Sequence, residues 1–452
     1  SRCSGFSLSP WTMLDYTKHT LENGLDVIVH EDHRCPIVAV NLWYHVGSKN
    51  EQPGRTGLAH LFEHLMFEGS AHHDSGYFTP LQQAGAALNG STSCDRTNYW
   101  EVVPTSALDL ALWLESDRMG YLLPALTAAK LENQREVVLN ERRQQYENRP
   151  YGMALMVLMA ALFPPGHPYH GTTIGEPADL QAATLEEVHA FFRTYYHPGN
   201  VSLTVAGDVE TGDALARVRR YFEEIPAGPP IPPVVVGAEH VTRNLAAPDG
   251  VRFVLEDRVE LPRLYLAWRT PRLFADGDAG MDILAEVLTG GKTSRLYRTL
   301  VHERRIATDV SAAQGSRELA GWFCITATAA PGYEVDELER AIGDELAALA
   351  ATGPDPGEIE RCLTQVEAQF VYSLQTVGGF SGRSDQLNAY NVYTGDPGFM
   401  EQDRARYREA TADQVRVLAA TQLTSGGRVA LSVVPHGAAG RALVDSTAAR
   451  VS

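Results

Sequence analysis

The sequence predicts an α+β fold made of two similar units, and three observations lead there. Short β-branched runs and longer helical patterns are mixed along the whole chain. A proline-rich stretch, IPAGPPIPPVVV at 225–236, interrupts them near the middle; it is stiff and poor in core formers. Near the end, TADQVRVLAATQLTSGGRVALSVVP (411–435) mirrors TLEEVHAFFRTYYHPGNVSLTVAGD (184–208) as helix, glycine turn and buried strand. We expect an N-terminal unit over 1–228, a linker over 229–245 and a C-terminal unit over 246–452, each of ordinary domain size.

Taken in order, TLENGLDVIVHED (20–32) reads as two strands around an Asn-Gly turn. CPIVAVNLWYHVGS (35–48) reads as a buried strand between Pro36 and Gly47. TGLAHLFEHLMFEGS (56–70) reads as a helix that is apolar on all sides. YFTPLQQAGA is a short helix, and ALNGSTSCDRTNYWEVVP (87–104) is strand, turn and strand. Helical patterns cover 105–119 and 127–149, and Thr184 with Glu187 has the spacing of a capping box. The second half repeats the outline: strands within VRFVLEDRVELPRLYLAWRTP (251–271), the apolar helix AGMDILAEVLTGG and the strand WFCITATAAP (322–331). That second apolar helix has no histidine, so metal chemistry belongs to the first unit.

The net charge of −18 argues against nucleic acid and anionic membrane surfaces as partners. No apolar run is long enough to span a membrane. The five cysteines are scattered and lack a Cys-x-x-Cys, which excludes a disulfide framework or a cysteine-rich zinc site. No signal peptide is visible in the opening residues, and bacterial cytoplasm and periplasm both stay open as compartments.

The chemistry starts from His60, Glu63 and His64 in the middle of the apolar helix. Buried ionisable groups are costly unless they are paired or hold a metal. Residues four apart share a helix face, so both imidazoles can reach one ion, with Glu63 beside them as a base. Two neutral nitrogens and an adjacent carboxylate suit a catalytic zinc, and His-x-x-Glu-His is the inverzincin signature. A third ligand is needed, and AKLENQREVVLNERRQQYENR offers Glu132, Glu136 and Glu141. Helical phase favours Glu141, which shares a face with Val137 and Val138. His167, His170, His72 and His73 lie in loop sequence without a carboxylate at helical spacing and are not taken as ligands. TGGKTS (289–294) lacks the first glycine of a phosphate loop and is rejected.

These motifs resemble the pitrilysin/insulinase family of zinc peptidases, in the branch of mitochondrial processing peptidase and short bacterial relatives. NGLDVIVHEDHRCPIVAVNLWYHVGSKNE, GRTGLAHLFEHLMFEGS, NGSTSCDRTNYWEVVP, REVVLNERRQ, HPYHGTTIGE and YYHPGNVSLTVAGD carry the resemblance, which extends over nearly the whole chain. It implies two homologous domains, each a mostly antiparallel sheet covered by helices, closing around a chamber. It implies one Zn2+ per chain, held by His60, His64 and a glutamate seventy-seven positions after His64, which is Glu141. An acidic residue common in the family seven positions earlier is Gln134 here. The resemblance also implies an unfolded peptide substrate added to a sheet edge around Asn89, Gly90 and Ser91. Asn89 then binds substrate backbone, or is an Asn-Gly turn residue. Arg383 and Tyr390, seven apart on one helix face, match a family pair that faces the zinc and contacts the scissile carbonyl; otherwise they belong to an ordinary surface helix. A homodimer is implied, with a heterodimer or a non-catalytic subunit as the alternatives.

Overall fold

A computed structural model describes residues 14–237, 250–424 and 427–450. The part of the expected linker at 238–245 lies outside the described residues, and 229–237 carries neither helix nor strand.

The first sheet contains β1 (Thr17–Thr20), β2 (Asp26–Glu31), β3 (Ile37–Tyr44), β4 (Ala87–Thr92), β5 (Thr97–Pro104) and β6 (Val201–Gly207). Their spatial order is β1-β2-β6-β3-β5-β4, antiparallel except where β2 runs parallel to β6. The second sheet contains β7 (Val251–Asp257), β8 (Arg263–Thr270), β9 (Ala307–Gly315), β10 (Gly321–Ala329), β11 (Val429–Pro435) and β12 (Thr447–Ala448). Its order is β12-β7-β11-β8-β10-β9, with β7 parallel to β11 and to β12. Five strands of each sheet follow the same path, β2-β6-β3-β5-β4 matching β7-β11-β8-β10-β9; the sixth differs, β1 coming first in the chain and antiparallel to β2, β12 last and parallel to β7. The fold is two mostly antiparallel sheets with helices.

Alternation along the strands separates two faces. In the first sheet Val38, Val40, Leu42 and Tyr44 join Leu203 and Val205 in one apolar core. That core is covered by α1 (Leu58–Leu65), α3 (Leu108–Tyr121), α6 (Leu185–Tyr195) and α7 (Thr211–Phe222); α2 (Phe78–Gln83) precedes β4. The other face presents Asn41, Trp43, Ser202 and Thr204, and it meets a helix from the second half of the chain, Arg383–Thr394. The exchange is reciprocal. Among the elements between the sheets, α4 (Ala128–Arg142) and α5 (Ala154–Leu162) follow α3, and α5 packs Val157, Leu158 and Leu162 on Ala267, Cys324 and Leu431 of the second sheet. Each half thus covers the far face of the other's sheet.

Polar contacts lock the halves together. Asp385 Oδ1 accepts from Asn41, Trp43 and Asn98 of the first sheet at 3.3, 2.8 and 3.0 Å. Its other oxygen accepts from the backbone N–H of Ser381 at 2.7 Å. Asp95, in the β4–β5 hairpin, accepts from Tyr169 Oη and from the backbone N–H of Glu318, in the β9–β10 hairpin. Buried Lys49 donates to Glu318.

The expected helices form with shifted ends: 105–119 becomes Leu108–Tyr121. The 127–149 pattern becomes α4 followed by a π-helical turn at Arg143–Glu147. The capping box of Thr184 and Glu187 is made. One open alternative is settled against the turn: Asn89 lies inside β4, opposite Trp100, because its flanking residues pair with β5.

Asp385→Ala strands three buried donors that have no substitute acceptor. We expect it to lower stability by about 3 kcal/mol, read as a lower urea midpoint.

Candidate metal centre

The helix α1 starts where its backbone is forced to turn. Gly57 has a φ of +86°, and a Cβ on the neighbouring Gly175 would lie 2.4 Å from the Gly57 Cα. The free N–H groups of Gly57 and Ala59 donate to the carboxylate of Glu51 at 2.9 and 2.8 Å. Leu58, Ala59, Leu61, Phe62 and Leu65 fill the core and fix the helix in rotation. His60, Glu63 and His64 are left on the one side not covered by core.

Glu141 arrives from the last turn of α4, which packs against α1. The next residue, Arg142, is fully buried and donates to the Gly175 carbonyl at 2.7 Å and to Glu147 at 3.0 Å. It pins the end of α4 against the same glycine that seats α1. One Glu141 oxygen thereby lies 3.6 Å from His60 Nε2 and 3.4 Å from His64 Nε2. The two imidazoles stand nearly perpendicular, with ring centroids 4.9 Å apart.

These separations fit a metal. Donors about 2.1 Å from a tetrahedral ion lie roughly 3.4 Å from one another, and two nitrogens with one oxygen are a zinc donor set. Burial, and then the proximity of His64, push His60 down to about 4, so it is a neutral ligand near pH 7. Glu141 is held below the usual carboxylate range, first by its hydrogen bond to His64. Burial raises Glu63, while Thr92 Oγ1 donates to its Oε2 at 2.6 Å and opposes that rise. Among the described residues the only other cluster of such donors, Glu31, His33 and Glu210, is fully exposed.

The remaining expectations are placed as follows. Asn89, Gly90 and Ser91 sit on β4, an edge strand whose last residue is the Thr92 that holds Glu63. A Cβ on Gly90 would press on Phe67 and Tyr99 at 3.1 Å, so the strand lies flat against the core there. Gln134 donates to Glu68, so a carboxylate does reach that position, from the segment after α1. His72 is bonded to Asp117, and His170 Nδ1 to the Phe163 carbonyl. The expectation for Arg383 and Tyr390 requires correction, because within one chain they do not face the metal centre. Their helix covers the sheet face opposite α1. Arg383 pairs with Asp32 at 2.5 Å and Tyr390 donates to Asp403 at 3.0 Å, both buried. Glu51 and Thr92 carry no sequence signal: Glu51 lies six positions before Gly57 and Thr92 twenty-nine after Glu63, and neither separation matches a local capping or ligand spacing.

A family model described as Insulinase (Peptidase family M16) matches residues 26–168, and one described as Peptidase M16 inactive domain matches 182–366. The chain is 28% identical over 367 residues to the zinc protease PqqE of Helicobacter pylori, covering 80% of this chain and 81% of that protein. It is 27% identical over 404 residues to an uncharacterized zinc protease of Mycobacterium leprae, covering 88% and 87%. The crystal structure of a protease from Helicobacter pylori superposes with a TM-score of 0.83 at 25% identity, covering 94% of this chain and all of that one. A peptidase M16 inactive domain from Pseudomonas fluorescens shares the fold, with a TM-score of 0.80 at 20% identity over 93% of this chain and 98% of that one.

Two measurements test the donor set. Calorimetric titration of metal-free protein should show one equivalent of tight zinc, and Glu141→Gln or His64→Ala should weaken it by at least about a hundredfold. In the metal-free protein the lowered His60 makes the folded state bind fewer protons than the unfolded one between pH 6.5 and 4. Stability from this group is therefore present above 6.5 and lost as pH falls toward 4. Wild type should lose more stability over that interval than His60→Asn.

Proposed function

Because the chain belongs to the insulinase (M16) family of peptidases, we propose that it is a zinc-dependent endopeptidase that hydrolyses short or unfolded peptides. The metal-bearing unit is residues 1–228, and the unit at 246–452 closes the site without a metal of its own. The observation that carries this reading is the meeting of His60, His64 and Glu141 at tetrahedral spacing, beside a glutamate held by a separate strand.

One zinc, held by His60, His64 and Glu141, would supply the Lewis acid that activates water and polarises the scissile carbonyl. Glu63 is the general base. Thr92 occupies its Oε2, which leaves Oε1 to take a proton from the attacking water and to hand it to the leaving amine. Burial raises its proton affinity above that of an exposed carboxylate, in the direction a general base needs. The peptide adds to the open edge of β4, where Asn89, Gly90 and Ser91 supply backbone groups in register with Glu63 through Thr92. Backbone pairing binds extended chains with loose sequence preference and cannot engage a folded surface. Arg383 and Tyr390 take no part from within the chain. The expected assembly is a homodimer. A heterodimer would show itself as a zinc-loaded chain that is inactive alone.

Glu63→Gln should keep its zinc and lose about a thousandfold in kcat on a quenched peptide. Chelation should abolish wild-type activity, and added zinc should restore it. Full activity of Glu63→Gln would remove the base from the mechanism.

A further inference from the structure

A cleft of about 520 Å3 opens beside Glu141. Its near wall is the π-helical turn and loop after α4, and its far wall is the face of the second sheet that α5 partly covers, with Tyr265 of β8 and Trp322 of β10. No residue of β4 lines it. It therefore meets the metal centre at Glu141 and not at the edge strand.

The cleft carries an unusual charge for so acidic a chain. Arg149, on the loop, and Arg263, on β8, both line it, and among the described residues neither has a carboxylate in ion-pair contact. Arg263 is held in place by other means. Its Nε donates to Thr328 Oγ1 at 2.8 Å, and its guanidinium lies 3.7 Å from the centre of the Tyr151 ring. Tyr151 is itself fixed. Its hydroxyl donates to the Leu261 carbonyl at 2.8 Å, its N–H donates to Asp257 at 2.7 Å, and its φ is +62°. A non-glycine residue at positive φ is strained, and such strain persists only where the surroundings impose it. The nearby acids are otherwise disposed: Glu141 belongs to the metal centre, Asp257 accepts from Tyr151, and Asp309 is solvent-exposed on β9. Elsewhere in the chain, buried or half-buried arginines such as Arg118, Arg295 and Arg406 have carboxylate partners. Two cations beside a reaction centre, with aromatic walls and no carboxylate on the lining other than the metal-centre Glu141, form a receptor for a carboxylate.

We propose that this cleft selects the substrate, binding a carboxylate of the peptide through Arg263 and Arg149 beside Glu141. The inference rests on the peptidase reading, but its test separates the two. Peptides identical except for Glu, Gln or Lys at each position flanking the cleavable bond would be compared, each with a free and an amidated C-terminus. The zinc-loaded full chain should favour Glu over Gln at one position by about tenfold in kcat/KM. Alternatively, it should favour the free C-terminus over the amide by that factor, which assigns the carboxylate to the chain end. Arg263→Met should erase the preference while leaving cleavage of the Gln or amidated peptide within about twofold. Arg149→Gln, on an exposed loop, tests the same site without disturbing a strand. Fluorescence anisotropy of labelled peptides on the Glu63→Gln variant reads the same preference without turnover. A protein that cleaves nothing but binds the acidic peptide more tightly contradicts the peptidase reading alone. Equal binding and cleavage of acidic and neutral peptides, or a preference that survives both arginine substitutions, overturns the cleft.

Discussion

An apolar helix cannot hold two histidines and a glutamate in its middle unless something compensates them, and the N-terminal half is organised around that need. Core packing fixes the rotation of α1, so the three polar side chains share the one uncovered side. The end of α4 brings Glu141 to them, and Arg142 seals the approach by gripping the Gly175 carbonyl. Gly175 in turn touches Gly57, where α1 begins. The start of one ligand helix and the end of the other are therefore set by a single close contact. A side chain at Gly175 would put its Cβ 2.4 Å from the Gly57 Cα, so one or both helix ends would have to shift.

The second half contributes packing and enclosure rather than donors. Its helix at Arg383–Thr394 satisfies the polar face of the first sheet, and α5 returns the exchange. The two hairpins that meet through Asp95 and Glu318 couple the β4 edge to the second sheet. The loop between α4 and α5 leaves the candidate metal centre and then lines the cleft beside it. This shared loop gives a physical reason for strain at Tyr151: the chain must turn sharply from a ligand helix onto the surface of another sheet.

Much of this was legible in the sequence, for reasons that are local. His60, Glu63 and His64 declare themselves by helical spacing within an apolar run. Helical phase also pointed to Glu141, although only Val138 of the two valines used is buried and Val137 is exposed. The two-unit architecture showed in the mirrored helix–turn–strand endings, which became β6 and β11 at matching places in their sheets. What failed was long-range. The Arg383 and Tyr390 spacing is real, but spacing on one helix says nothing about which sheet face that helix covers. Asn89 was ambiguous because Asn-Gly favours turns in isolation, and only pairing with β5 makes it a strand. Glu51 and Thr92 act across distances in sequence that no periodicity encodes.

The central claim is that one divalent ion joins α1 to α4. Anomalous diffraction from zinc-loaded crystals, recorded on both sides of the zinc absorption edge, tests it most directly. The account predicts a single strong peak per chain, about 2.1 Å from one nitrogen of each of His60 and His64 and from an oxygen of Glu141. A peak elsewhere, or density showing Glu141 turned away from the two imidazoles with zinc present, would contradict it.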